Sequence, residues 1–173
     1  MPPQRRQAVP SATLRATVSA WLEDDGWSVA DPLDRVQIAA GERDLRWLAV
    51  AFKDSKPLVV AEPAAGRPRL VLSHHLALDR AERTRLEALA SGELDDLVWQ
   101  LHRHLNLLLV DFEVDRPVPR QVLLTVSLPR DGLTRDNFLH HVARLTAALR
   151  IVFLVFQRAL GTLLDEPGEP VTH

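Results

Sequence analysis

"LRWLAVAFKDSKPLVVAEPAAGRPRLVLSHHL", Leu45 to Leu76, holds three apolar runs separated by short, turn-forming segments. In Leu45–Lys53, Trp47, Ala49 and Ala51 fall on one face and Leu48, Val50 and Phe52 on the other. Both faces are apolar, so a strand here is expected to be at least partly covered on each side. Asp54-Ser55-Lys56-Pro57 is a turn signal, and Leu58–Glu62 reads as the second strand. The Pro63–Pro68 segment then turns the chain into a third, Arg69–Leu76. Short turns between runs of this kind predict an antiparallel meander.

Outward from the meander, both flanks read as helical. Upstream, Leu14, Val18, Trp21 and Leu22 recur at helical spacing behind Ser11 or Thr13 as a cap. Gly26 is a natural C-terminal stop, since it accepts a left-handed backbone. Glu23, Asp24 and Asp25 oppose the dipole at that helix end and are expected to stay solvated or to meet arginine. Val36–Ala40 reads as a further short strand or an irregular lead-in. Downstream, Asp79 with Glu82 has the pattern of a capping box. Ser91-Gly92 interrupts that helix, and a second helical run carries Leu94, Leu97, Val98, Leu101, Leu105 and Leu108 on one stripe, with Trp99 flanking it. Leu109–Val114 and Arg120–Leu128 read as strands, and a last helix runs from near Thr134 to about Leu160, stopped by Gly161. Helices and strands therefore come in blocks, α-β-β-β-α-β-β-α. That order predicts an α+β domain with an antiparallel sheet rather than a doubly wound parallel one.

The last helix is too apolar for a simple surface helix. Phe138, Val142, Leu145, Leu149, Val152 and Phe156 alone would dock it on a sheet. Ala147, Ile151, Leu154 and Val155 make a second stripe, and Ile151–Phe156 is apolar all round. A bilayer span needs about 20 largely apolar residues; Arg144, Arg150 and Arg158 break the run, so no membrane span is expected. The second stripe is either sandwiched within the chain or buried against another subunit. Contiguous exposed apolar surface marks interaction sites, and two-fold homodimers are the commonest oligomers. Ala147, Ile151, Leu154 and Val155 are therefore the candidates for a partner or dimer interface. On this reading Ile151→Glu or Leu154→Glu yields a soluble monomer.

With 173 residues, 46% of them hydrophobic, the chain suits one domain with a real core. We expect tails at 1–11 and 165–173 around a single α+β domain at 12–164. The net charge of -2 gives no general drive toward nucleic acid or anionic membranes. Cysteine is absent, which removes disulfides, thiolate catalysis and thiolate metal sites and fits a cytoplasmic protein.

Little else suggests chemistry. His74 and His75 are strand neighbours and point to opposite faces. His102 and His104 diverge by roughly 200° on a helix, and His140 and His141 by about 100°. None has the i, i+4 spacing of a helical zinc pair. The isolated glycines form no phosphate loop, and no Gly-x-Ser-x-Gly elbow occurs. Asp95 and Asp96 sit near a helix start, where the dipole favours acids. Asp111 and Glu113 alternate with Val110, Phe112 and Val114, as on a solvated strand face. Arg135, Arg144, Arg150 and Arg158 spread around the last helix instead of forming a basic stripe, so nucleic-acid binding is disfavoured. No catalytic, cofactor-binding or metal residue is assigned and no cofactor is expected. A metal-dependent or hydrolytic enzyme with separated His and Asp residues, or a nucleic-acid accessory protein, stand as alternatives.

Several segments carry a family resemblance: "WLEDDGWSV" (21–29), "VVAEP" (59–63), "DLVWQLHRHLNLLLVDFEV" (96–114) and above all "DGLTRDNFLHHVARLTAALRIVFLVFQRALG" (131–161). Over roughly Leu14 to Gly161 the chain resembles an uncharacterised archaeal and bacterial family of the type III secretion chaperone-like superfamily. The resemblance implies a small α+β domain, homodimeric, that handles protein segments without catalysing a reaction. The expected function is a non-enzymatic, cytoplasmic adaptor or chaperone-like homodimer that binds a protein segment.

Overall fold

The computed structural model describes residues 11–30, 45–54 and 56–161. α1 (Ser11–Asp24) leads into β1 (Ser28–Ala30), β2 (Leu45–Lys53), β3 (Lys56–Pro63) and β4 (Arg69–Ala77). α2 (Arg80–Glu87) and α3 (Ser91–Leu107) follow, then β5 (Asp111–Val114), β6 (Gln121–Pro129) and α4 (Arg135–Leu160). The six strands form an antiparallel sheet in the order β1-β2-β3-β4-β6-β5, an α+β architecture of the expected class. Two details depart from expectation. β1 is an added short strand, and the interrupted helix is two separate helices, α2 and α3. The segment 36–40, expected as a short strand or an irregular lead-in, lies outside the described residues.

The chain divides into two compact units. Of the described residues, the first takes those from Ser11 to Leu72 together with Ser127–His141, the second Ser73–Val126 and Val142–Gly161; the boundary falls inside β4, β6 and α4.

In the first unit, α1 buries Leu14, Val18 and Leu22 and leaves Trp21 half-buried against Phe138, ring centroids 5.8 Å apart. Gly26, at φ 84, closes the helix: its N–H reaches the Glu23 carbonyl and the Trp27 N–H reaches that of Leu22. This paired closure needs a left-handed residue, and glycine takes that conformation without a Cβ clash. Two of the three acids at the helix end find cations. Asp24 lies 3.6 Å from Arg135, and Asp25 lies 3.6 Å from Lys53, whose Nζ also donates to the Asp25 carbonyl at 2.8 Å. β1 then pairs with β2 from Ser28 opposite Phe52 to Ala30 opposite Val50.

β2 and β3 form the hairpin read from the sequence, with Ala49 opposite Val60 and Lys53 opposite Lys56. The register slips between Leu45 and Trp47, a bulge that leaves Trp47 directly opposite Glu62. Both side chains are buried, Glu62 completely. The Trp47 Nε1–H donates to Glu62 Oε2 at 2.6 Å, and Arg130, from the β6–α4 turn, donates to Glu62 Oε1 at 2.8 Å. The same turn is tied down where the Arg130 N–H donates to the Pro68 carbonyl. Gly132, at φ 79, completes the turn, and the Asn137 N–H donates to the Thr134 hydroxyl, the cap expected for α4.

In the second unit, Asp79 and Glu82 form the predicted capping box, each side chain accepting from the other's backbone N–H at 2.7 Å. α3 starts without a side-chain cap at Ala90, although Glu93 accepts from the Ala90 N–H. Its apolar stripe buries Leu97, Val98, Leu101 and Leu105. The helix ends in the same paired closure as α1, from Leu109 to Asn106 and from Val110 to Leu105. Here a leucine, at φ 53, takes the left-handed position that Gly26 fills in α1. β5 pairs with β6 with Asp111 opposite Thr125, and Asp111 and Glu113 face solvent as expected.

Candidate functional site

α4 shows how its two stripes are used. Phe138, Val142, Leu145, Leu149, Val152 and Phe156 are all buried. On the second stripe Leu154 is 62% exposed, Ala147 is exposed and Ile151 is half-buried. Val155 instead is 7% exposed and belongs to the core, so the outward stripe reduces to Ala147, Ile151 and Leu154. By length and composition alone α4 could cross a membrane. The buried stripe on one side, with Arg150 and Arg158 exposed, gives it the character of a core helix with one uncovered face.

The larger uncovered apolar groups lie on α3 and just beyond it. Trp99 is 58% exposed, Leu107 75% and Leu109 77%. Trp99 does not flank the buried stripe. It is two residues from both Leu97 and Leu101, and at about 100° per residue it points roughly 160° away from each. A 3.6-residue period places it outward. Leu109 presents an apolar side chain from a left-handed backbone, a conformation costing roughly 1–2 kcal/mol for a residue with a Cβ.

Polar groups surround Trp99. The Arg103 guanidinium lies over its ring, 5.4 Å from the centroid. Asp95 stands one turn earlier on the same face, exposed and without an ion pair or hydrogen bond among the described residues. Beside the indole is an open groove of about 670 Å³ lined by Asp95, Val98, Trp99, His102, Arg116 and Pro117. Arg116 Nη2 lies 3.3 Å from His102 Nε2. The His102 ring also meets Phe112 of β5 edge-on at 4.7 Å, which anchors the groove floor to the strand. Such a surface can recognise a side chain by stacking, charge and shape; it holds no nucleophile paired with a base.

The histidines stay dispersed. His74 is buried while His75 is exposed and shares a hydrogen bond with Gln121. His140 and His141, expected to diverge, meet edge to face at 5.6 Å. Among the described residues no three His, Asp or Glu side chains converge as a metal site.

The arrangement defines an α+β protein with covered sheet strands and two helices whose outer faces stay partly apolar. A crystal structure of an uncharacterized protein from Methanothermobacter thermautotrophicus shares this fold, with a TM-score of 0.68 and 18% identity over 83% of this chain and 97% of that one. YbjN from E. coli, described as a proposed transcription regulator, is more distant, at a TM-score of 0.42 and 12% identity over 85% of this chain and 91% of its own. No curated protein matches the chain. The chain belongs to the DUF2299 family of uncharacterized conserved proteins, whose model matches residues 14–156.

Proposed function

We propose that this chain is a non-enzymatic protein-interaction module, an adaptor or chaperone-like homodimer of the cytoplasm that binds a segment of a partner protein. The observation that carries this reading is the split use of α4. Its inner face is consumed by the core, while Leu154, Ile151 and Ala147 stay at the surface. Apolar area left in water on a rigid helix is available to a partner at about 25 cal/mol per Å² buried. A segment docking there by its own apolar side chains needs no rearrangement of the core stripe beneath.

The test is comparative capture from the native cell, wild type against Leu154→Glu, followed by titration of any captured protein in purified form. The expected result is a partner that binds the wild type and loses at least tenfold in affinity with Leu154→Glu. Equal affinity for the two would remove the α4 stripe from the account.

A further inference from the structure

The groove beside Trp99 carries more charge than it satisfies. Arg116 meets the His102 ring and Arg103 the indole, and neither guanidinium has a carboxylate among the described residues. The Trp99 indole N–H likewise has no acceptor among them. Asp95 stands toward the start of α3 and Arg103 toward its end, so the face runs from acidic to basic along the helix. Val98 and Pro117 supply apolar wall.

An exposed indole in an open groove is the kind of surface on which proline-containing segments dock. A polyproline II backbone makes no internal hydrogen bonds, so its carbonyls are free to accept from the indole N–H. The two arginines add a demand for acid. The chain itself contains a segment of that chemistry. Asp165-Glu166-Pro167-Gly168-Glu169-Pro170 follows α4 and holds three acids, two prolines and no base. Polyproline II has three residues per turn, which sets Pro167 and Pro170 on one side. Glu166 and Glu169 then share a second side, about 120° from the first. We propose that the groove is a site for an acidic polyproline segment and that its occupant is residues 165–170 of the same chain. The prolines lie against Trp99 and Pro117, with Glu166 and Glu169 toward Arg103 and Arg116.

The tether permits this. The end of α4 and the groove belong to the same compact unit. From Gly161 to Pro170 the chain reaches at most about 30 Å, roughly the width of a unit of that size. A short tether gives a local concentration on the order of millimolar, so a weak contact suffices to fill the groove. The other proline-containing segment, residues 1–10, carries Arg5 and Arg6 in place of acids and sets like charges beside Arg103 and Arg116. The α4 stripe shares no residue with this groove, and the failure of either site leaves the other in place.

The chain contains no cysteine, so Gly168→Cys in the full chain takes a nitroxide label at one position only. The readout is the Trp99 indole N–H peak in a proton–nitrogen correlation spectrum, assigned as the peak missing from Trp99→Phe. The expected result is loss of this peak beside the oxidised label and its return when the label is reduced. Arg103→Glu/Arg116→Glu in the labelled chain is expected to keep the peak; both arginines are exposed, and far-UV circular dichroism verifies the fold. A Trp99 peak that survives the oxidised label in the otherwise wild-type chain would overturn the proposal. So would its loss in the double-arginine variant, since the acids would then have no part in the contact. Mixing isotope-labelled chain without nitroxide with nitroxide-labelled chain covers the remaining case. Equal loss of the peak there would place the contact between copies and overturn docking within one chain.

Discussion

The molecule holds two constellations made of the same three residue types, tryptophan, arginine and a carboxylate. In the first unit Trp47, Arg130 and Glu62 close on one another, with the carboxylate fully buried and both its oxygens bonded. On α3, Trp99, Arg103 and Asp95 are gathered on one face but not closed. The guanidinium lies over the ring and the carboxylate is left to solvent. A buried charge must be satisfied where it stands, so the first set reports on folding. A solvated set is under no such demand, and its open valences are free for a further segment. Composition alone cannot separate the two; burial does.

The sharpest way to break that contrast is Glu62→Ala. Removing the carboxylate takes one buried ion-pair partner from Arg130 and leaves the Trp47 N–H without its acceptor. We expect a loss of roughly 3–5 kcal/mol in chemical denaturation. A loss below about 1 kcal/mol would mean that the interior set is not closed as described. Trp47→Phe keeps most of the apolar bulk and deletes one donor to the carboxylate, with an expected loss of about 1.5–3 kcal/mol in the same assay.

Outside the core the expected sign changes. Leu109→Gly relieves a left-handed leucine at the end of α3 and should raise stability by up to about 1 kcal/mol in thermal unfolding. A decrease would show that the exposed Leu109 side chain contributes packing to the fold. Smallest of all, Trp99→Ala should change monomer stability by no more than about 0.5 kcal/mol, measured at a concentration where the chain is monomeric.

The sequence reveals the elements governed by period and by local chemistry. Alternation in Leu45–Leu76 exposes the meander, the Asp79–Glu82 spacing the capping box, and the four-three spacing from Phe138 to Phe156 the core face of α4. β1 escapes because three residues, Ser28–Ala30, carry no readable period; they become a strand by pairing with β2 once Gly26 has turned the chain. The Glu62 ion pair escapes because Arg130 lies 68 positions away. Glu62 reads as the polar end of a strand until the bulge sets it opposite Trp47. Of the interface candidates, Ala147, Ile151 and Leu154 lie at least partly at the surface, whereas Val155 turns inward. Trp99 was legible in principle, since two positions from Leu97 and Leu101 is the outward side of a helix.

The most direct test of the open constellation on α3 is a charge exchange read in the nitroxide-labelled chain. Arg103→Glu/Arg116→Glu in the groove and Glu166→Arg/Glu169→Arg in the segment each set like charges opposite one another, while the four substitutions together restore opposite ones. The account predicts that either pair alone returns the Trp99 indole peak beside the oxidised label and that the combination loses it again, with the differences shrinking at high salt. A combination whose Trp99 peak stays as strong as with either pair alone would contradict the docking of residues 165–170 on α3.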